Sequence, residues 1–276
     1  MLPLNLAKLD YWELRLVADC LSEHRKQPIS EVDLLLGQVS LTSQEIKLVN
    51  QKLAKLAQGY PLDYLLSKIK FAHLQIKVLP GVFIPRPETE VWLQNLRQMW
   101  PATWWSKIDL VVDMCAGTGV LGLGLADLVP QVVCVDKSVK AVRNVNVNAN
   151  LNQIVNCLTL RSNLFSNSQL LDLIKARTNW VLVCNPPYVP TTDEPYRQQH
   201  NLQFEPKQAI FSGRDGLSVF RRLVAQLVSL PKPKLVLFEL DPRNIRQAQK
   251  LLSPWFKTKI WLDDNGWERV LVGLSG

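Results

Sequence analysis

The period of the apolar positions changes along this chain, and the changes mark out its parts. From Tyr11 to His24 apolar residues recur at helical spacing, through Trp12, Leu14, Leu16, Val17 and Leu21, which predicts an amphipathic helix. Ser30 opens a second helix ahead of Leu34, Leu35 and Leu36, with Asp33 completing the weaker form of a capping box. Thr42 and Glu45 form the stronger version. The helix they start places Ile46, Val49, Leu53 and Leu56 on one stripe and closes at Gly59. Residues 1–70 therefore read as a small helical bundle that carries no catalytic set and suits recognition or support. Between Phe71 and Ile84 the apolar residues alternate, and Leu79-Pro80-Gly81 offers a turn, so residues 71–85 are expected to form a β-hairpin linker. Ile84-Pro85-Arg86-Pro87-Glu88-Thr89-Glu90 then reads as an ordered loop stiffened by proline, leading into a helix near Val91.

From Asp109 onward short apolar runs alternate with helical patterns. Leu110 to Asp113 reads as a strand, Val120 to Leu128 as a helix, Gln131 to Val135 as a second strand, and a further helix follows from Ser138. This βαβ order predicts a parallel sheet covered on both faces, so residues 86–276 are expected to form one α/β domain. A third apolar run, Trp180 to Cys184, stops abruptly at Asn185-Pro186-Pro187-Tyr188. Neither proline can donate a backbone hydrogen bond, and each pushes the residue before it out of the α region, so the chain leaves the sheet extended and rigid.

Composition narrows the class. With 47% hydrophobic and 20% charged residues the chain is ordinary for a folded protein, and no apolar run reaches the length of a membrane span. The first ten residues lack a basic segment followed by an apolar core, so a cytoplasmic protein with no membrane partner is expected. Cys20, Cys115, Cys134, Cys157 and Cys184 form no C-x-x-C pair, and His24, His73 and His200 are isolated from them, so free thiols and no metal site are expected. The net charge is +8, and residues 207–276 hold 12 Lys and Arg against 6 Asp and Glu. Such a basic region suits either a solvated face or an acidic partner.

The loop Asp113-Met114-Cys115-Ala116-Gly117-Thr118-Gly119 lets a ligand approach the backbone, and Asp136 at the end of the second strand can accept two ribose hydroxyls. An adenosine-bearing cofactor is implied. A dinucleotide would bring its pyrophosphate to the helix start, where the charge of Asp113 would repel it. The same charge suits the amino group and sulfonium of S-adenosyl-L-methionine, which is the cofactor expected. Asn185 adds its amide oxygen to the Pro186 carbonyl, giving two neutral acceptors that can orient a planar –NH2 group, while Tyr188 can lie flat against it.

These residues together resemble the HemK/PrmC family of protein-(glutamine-N5) methyltransferases, which modify the Gly-Gly-Gln glutamine of class I peptide chain release factors. The resemblance extends over Tyr60 to Tyr64, Ile84 to Glu90, the cofactor loop, Asn185 to Tyr188, Phe204-Glu205-Pro206, Gly213 to Leu217 and Glu268-Arg269-Val270. It implies a seven-stranded, Rossmann-like class I methyltransferase sheet whose last strands, Lys257 to Leu262 and Arg269 to Leu274, form an antiparallel edge. By the same resemblance Cys115, Ala116, Gly117, Thr118 and Gly119 wrap the methionine part of the cofactor, Asp136 holds its ribose, and Asn163 and Leu164 lie at its adenine. Asn185, Pro186, Pro187 and Tyr188 grip the substrate glutamine, with Arg86 and Glu205 also on the substrate side, and the bundle helps to hold the release factor. A monomer with no stable nucleic-acid partner is expected.

This chain departs from the family pattern at Cys115, often glycine, at Asn163, usually acidic, at Leu164, aromatic in some members, and at Glu239-Leu240-Asp241, which lacks the usual glycine. Two other readings use the same residues. A nucleic-acid amino-methyltransferase acting on adenine or guanine needs the same grip on –NH2 and is favoured by the basic C-terminal part, but no added target-recognition domain is visible. The departures also admit a cofactor-binding protein that has lost catalysis.

Overall fold

A computed structural model describes residues 6–194 and 202–275, so His200 and the first five positions lie outside the described residues. The backbone divides into two compact units, one ending at Ile69 and the other starting at Lys70.

The first unit contains α1 (Tyr11–Arg25), α2 (Glu31–Leu35), α3 (Ser43–Ala57) and α4 (Leu62–Leu65). Each of the first three begins with a reciprocal capping box, formed by Asp10 and Glu13, Ser30 and Asp33, and Thr42 and Glu45. Even the shorter Asp33 reaches back, accepting from the Ser30 N–H at 2.8 Å. Leu14, Val17, Leu21, Leu34 and Val49 pack at the centre. Glu45 is buried and does two jobs: it closes its cap and accepts from Arg25 Nε at 2.6 Å and Nη2 at 2.8 Å. The Arg25 guanidinium, then the Thr42 N–H, hold its carboxyl down at about 2.

A two-stranded ribbon pairs β1 (Ile69–Phe71) with β2 (Leu74–Ile76). Its turn lies at Ala72 and His73, with Ala72 at φ 51°. Leu79-Pro80-Gly81 does turn, the Val82 N–H donating to the Leu79 carbonyl at 3.0 Å, but it joins no pair of strands. The sequence reading missed what the following segment bonds to. The N–H groups of Gln75, Lys77 and Leu79 donate at 2.8–2.9 Å to the side-chain oxygens of Asn152, Asn148 and Asn144. These asparagines lie four residues apart on α8 (Val139–Leu151) and its C-cap, and so share one face of the helix. Their amide nitrogens return bonds to the carbonyls of Gln75, Thr118 and Lys77. The alternating segment is therefore laid along a helix instead of being folded into a longer hairpin.

The second unit is built on a sheet of order β5-β4-β3-β6-β7-β9-β8. Its strands are β3 (Leu110–Met114), β4 (Val132–Asp136), β5 (Cys157–Arg161), β6 (Trp180–Cys184), β7 (Leu235–Glu239), β8 (Lys257–Leu262) and β9 (Glu268–Leu274). The first five are parallel, and β9 runs antiparallel between β7 and β8. Every residue of β3, β6 and β7 is buried, which explains their near-continuous apolar sequences. Trp180, Phe220 and Phe238 are fully buried in the core on this sheet.

Helix α5 (Pro87–Met99), followed by the short α6 (Ala102–Trp105), starts earlier than Val91, because Pro87 sits at the first helical position where its missing N–H costs nothing. The helix expected over Val120 to Leu128 is broken into α7 (Val120–Leu123) and a 3-10 turn, Ala126–Leu128. At the break Arg97 of α5 donates to the Gly124 carbonyl and pairs with both oxygens of Asp127 at 2.6 and 2.7 Å. Leu93 fills the space a side chain at Gly124 would need, 2.6 Å from where its Cβ would lie. No helix of the described residues is long and apolar enough to cross a membrane.

The chain builds outward from β3 to β4 and β5, then returns to place β6 on the other side of β3. A crevice opens at such a reversal, at the carboxyl ends of the strands. Asp113, Asp136, Asn185 and Glu239 all stand at those ends.

Candidate active site

The loop after β3 begins with a conformational cost. Cys115 has φ 61°, a left-handed backbone that disfavours any residue with a Cβ, and this is the position where a glycine was expected by resemblance. Gly117 follows at φ 56°, and a Cβ there would meet nothing nearer than the Cys115 oxygen at 4.0 Å, so its bare backbone faces open space. Gly119, at φ 83°, has the opposite reason: a Cβ would press on Val145 at 3.1 Å and Leu123 at 3.2 Å. The Ala116 N–H donates to the Val135 carbonyl at 3.0 Å, and Asn148 binds the Thr118 carbonyl at 2.9 Å. The loop is thus held from the sheet and from α8.

Asp136 orders the loop from the neighbouring strand, its two oxygens accepting from the Gly117 N–H at 3.0 Å and the Ser138 N–H at 2.8 Å. Each carboxylate oxygen keeps a second lone pair, enough for a diol. Burial raises its carboxyl above the usual range despite these two bonds. Leu164 is buried with φ 57°, its carbonyl held by the Ser162 hydroxyl at 2.6 Å, and presents an apolar wall. Asn163 is exposed, and its side-chain oxygen accepts from Arg222 Nη2 at 3.2 Å.

Asp113 differs from the fixed negative charge that the sequence suggested. It is 1% exposed, its Oδ2 accepts from the Gly122 N–H at 2.8 Å, and its Oδ1 has no partner among the described residues. Burial, against the Gly122 bond and with the charge of Asp136 added, pushes its carboxyl up to about 7. A buried acceptor with an unused oxygen, at the wall of the same cavity as Gly117, Asp136 and Leu164, fits a ligand that brings a cationic group, a ribose and a flat apolar base. An S-adenosyl-L-methionine molecule has all three, and the described residues accommodate it.

Asn185 and Pro187 line this cavity. Pro186 is buried and Tyr188 is half-buried; neither belongs to the cavity wall, and the Tyr188 hydroxyl donates to Glu239 Oε1 at 3.2 Å. Tyr188 is therefore tethered through its hydroxyl to the end of β7. Asn185 Nδ2 donates to Thr89 Oγ1 at 3.3 Å, leaving Oδ1 with no partner among the described residues. Beyond the motif the chain is clamped by Asn244, whose Nδ2 donates to the Tyr188 carbonyl at 3.0 Å. Gly216 makes this approach possible, since a Cβ there would lie 2.0 Å from the Tyr188 oxygen.

Arg86 and Glu205 engage each other. Glu205 is buried and accepts from Arg86 Nη2 at 2.5 Å and from the Ile84 N–H at 2.9 Å, and the guanidinium lies 4.5 Å from the Phe83 ring centre. Their observed work is to join two loops beside the cavity. Sequence reasoning gave no role to Thr89, to Trp92 or to the buried Glu239, noted only as part of a stretch lacking a glycine; Thr89 Oγ1 and Trp92 Nε1 donate to Glu239 Oε2 at 2.6 and 2.7 Å. The available signal was an acid closing a fully apolar strand, as Asp113 nearly does in β3.

Comparison with known proteins places this geometry. Residues 73–218 match the family model described as methyltransferase small domain. A release factor glutamine methyltransferase of Bifidobacterium longum is 32% identical over 250 residues, covering 84% of this chain and 81% of that protein. One from Thermodesulfovibrio yellowstonii is 28% identical over 251 residues, covering 88% and 87%. Among solved structures, the T. thermophilus 16S rRNA N2 G1207 methyltransferase in complex with AdoMet and guanosine superposes with a TM-score of 0.52 at 18% identity, over 76% of this chain and 50% of that one, a likeness of fold. By the matched domain and by relatives alike along most of their length, the chain belongs to the methyltransferase small domain family and, within it, to the release factor glutamine methyltransferases.

Proposed function

We propose that this enzyme transfers a methyl group from S-adenosyl-L-methionine to the side-chain amide nitrogen, N5, of the glutamine in the Gly-Gly-Gln motif of a class I peptide chain release factor. The observation that carries the reading is Asn185: an amide at the switch point of the sheet that lines a cavity fitting the donor and is held through its nitrogen by Thr89, its oxygen left without a partner among the described residues. The names of the relatives supply the substrate class.

The donor, when bound, supplies an electrophilic methyl group on a positively charged sulfur. Asp113 Oδ1 would accept from its ammonium group and Asp136 from its ribose, and the bare backbone at Gly117 would let it lie close. Asn185 Oδ1 accepts one hydrogen of the substrate amide and turns the nitrogen lone pair toward the cavity. An amide nitrogen is a weak nucleophile, so alignment carries the rate; near-attack placement can contribute about 7–11 kcal/mol. No base is required beforehand, because the nitrogen becomes acidic only once it has gained the methyl group. Pro186 and Pro187 keep Asn185 from turning away, while the Arg86–Glu205 pair fixes the loops beside it. Residues 1–70 are proposed as the recognition domain for the release factor, 71–85 as the linker and 86–276 as the catalytic domain, a division supported by the boundary at Ile69.

The test is mass spectrometry of an intact release factor after incubation with enzyme and donor, with total RNA in a parallel reaction. One added methyl on the Gly-Gly-Gln glutamine is expected. Methylated RNA with an unmodified factor would replace this reading with the nucleic-acid one.

A further inference from the structure

Glutamine-directed transfer needs an acceptor at Asn185, yet the oxygen and nitrogen of an amide are nearly equal in shape, and only the partners decide which faces inward. We infer that Glu239 sets the hydrogen-bond direction of the site: through Thr89 it obliges Asn185 to present its oxygen, not its NH2, to the substrate. The inference rests on the proposed reaction for its chemical consequence but on protein geometry alone for its premise.

The relay runs through three side chains from distant parts of the sequence. Glu239 ends β7 and is 1% exposed. Glu239 Oε2 receives the Thr89 hydroxyl at 2.6 Å and the Trp92 indole N–H at 2.7 Å, while Oε1 faces the Tyr188 hydroxyl at 3.2 Å. Burial raises the Glu239 carboxyl above its ordinary range, but with two donors on Oε2 a proton taken up by the carboxyl belongs on Oε1, so Oε2 accepts in either state. Trp92 has no other role open to it, since an indole N–H only donates. The short Thr89 bond commits the hydroxyl proton to Glu239. Thr89 Oγ1 is then left with lone pairs alone, and the group that meets it from Asn185 must be a donor. Nδ2 sits there, at 3.3 Å. The oxygen is consequently the atom turned to the cavity.

The same carboxylate holds both ends of the Asn185-Pro186-Pro187-Tyr188 turn, Tyr188 directly and Asn185 through Thr89. Glu239 does not line the cavity. It is a positioning residue, and no proton passes through it during transfer.

Three variants test this: Thr89→Val, which keeps the shape and removes the relay, Thr89→Ser, which keeps the hydroxyl, and Glu239→Gln, which gives the anchor a donor. With release factor and donor, Thr89→Val and Glu239→Gln should each lower kcat at least about tenfold while donor affinity changes less than about twofold. The double variant should be no slower than the worse single one, because both act on one relay. Thr89→Ser should retain more than half the wild-type kcat. In parallel, the side-chain amide signal of Asn185 in 15N-labelled protein, assigned by its loss in Asn185→Ala, should move in Thr89→Val and hold its place in Thr89→Ser. Wild-type turnover in Thr89→Val, equal losses in the serine and valine variants, or an unmoved Asn185 signal would overturn the inference. If the wild-type enzyme leaves the release factor unmodified, the substrate reading fails instead, and the amide signal still decides the relay.

Discussion

Replacing Asp113 with asparagine separates two consequences of one buried carboxyl. Asparagine keeps an oxygen for the Gly122 N–H, so the start of α7 retains its bond. The wild-type carboxyl titrates at about 7 in the folded chain against an ordinary 3.8, chiefly through burial. A folded value above the unfolded one means that the native state holds the proton more tightly. Its stabilising effect is complete below about 3.8, declines as pH rises, and is gone above about 7. At 1.36 kcal/mol per pH unit that interval sets a ceiling of roughly 4 kcal/mol on the cost of ionising Asp113. The variant has no such proton, so in urea denaturation without donor its stability relative to wild type should grow from pH 5 to pH 8. Tryptophan fluorescence follows the second unit, which contains every tryptophan of the chain but Trp12. Calorimetry should show wild-type affinity for S-adenosyl-L-methionine rising over the same interval as Asp113 ionises, and the variant binding weakly with less pH dependence. A stability gap that stays constant from pH 5 to pH 8 would refute the buried-proton account.

Other outcomes follow from single features. Cys115→Gly should be more stable than Cys115→Ala by about 1 kcal/mol, the reverse of the usual order, since only glycine adopts φ 61° freely; a thermal melt favouring alanine would contradict this. Asn185→Asp should fold and bind donor but transfer methyl about 100-fold more slowly, because it loses the donor that meets Thr89; transfer near the wild-type rate would remove Asn185 from the chemistry. Glu45 is held below its ordinary 4.5 at about 2 by Arg25, so its contribution is present above about 4.5 and is lost as pH falls toward 2. Wild-type protein should therefore lose Tm more steeply than Glu45→Gln between pH 5 and pH 3, and parallel slopes would discount the ion pair.

Residues that carry their own local signal were legible. Asp136 and the N-P-P-Y turn each end a short apolar run, and an abrupt switch from buried to polar sequence marks the carboxyl edge of a sheet. The capping boxes at Ser30 and Thr42 were readable because both members lie within one helical turn. The contact between Glu239 and Thr89 was illegible for the opposite reason: they are 150 residues apart and meet only after β7 and α5 have packed. Burial hid the protonation of Asp113, which a sequence presents as a plain carboxylate. Leu79-Pro80-Gly81 turns as expected but closes no hairpin, because the segment before it bonds to the remote α8, and the break at Gly124 lies where Arg97 and Leu93 of the remote α5 meet the chain.

The asparagines of α8 also make that helix intolerant of a change in length. Surface helices commonly absorb an inserted or deleted residue by sliding, but one residue turns everything beyond it by about 100°. A single deletion between Asn144 and Asn148 would swing the two amides on either side of it out of line, while Gln75 to Leu79 still offered their groups at strand spacing. The helix and the extended segment work as a gear and rack with a pitch of four residues against two. In a screen of single-residue deletions for soluble expression, losses within 144–152 should be far less tolerated than losses at the exposed turn around Asp264 and Asn265.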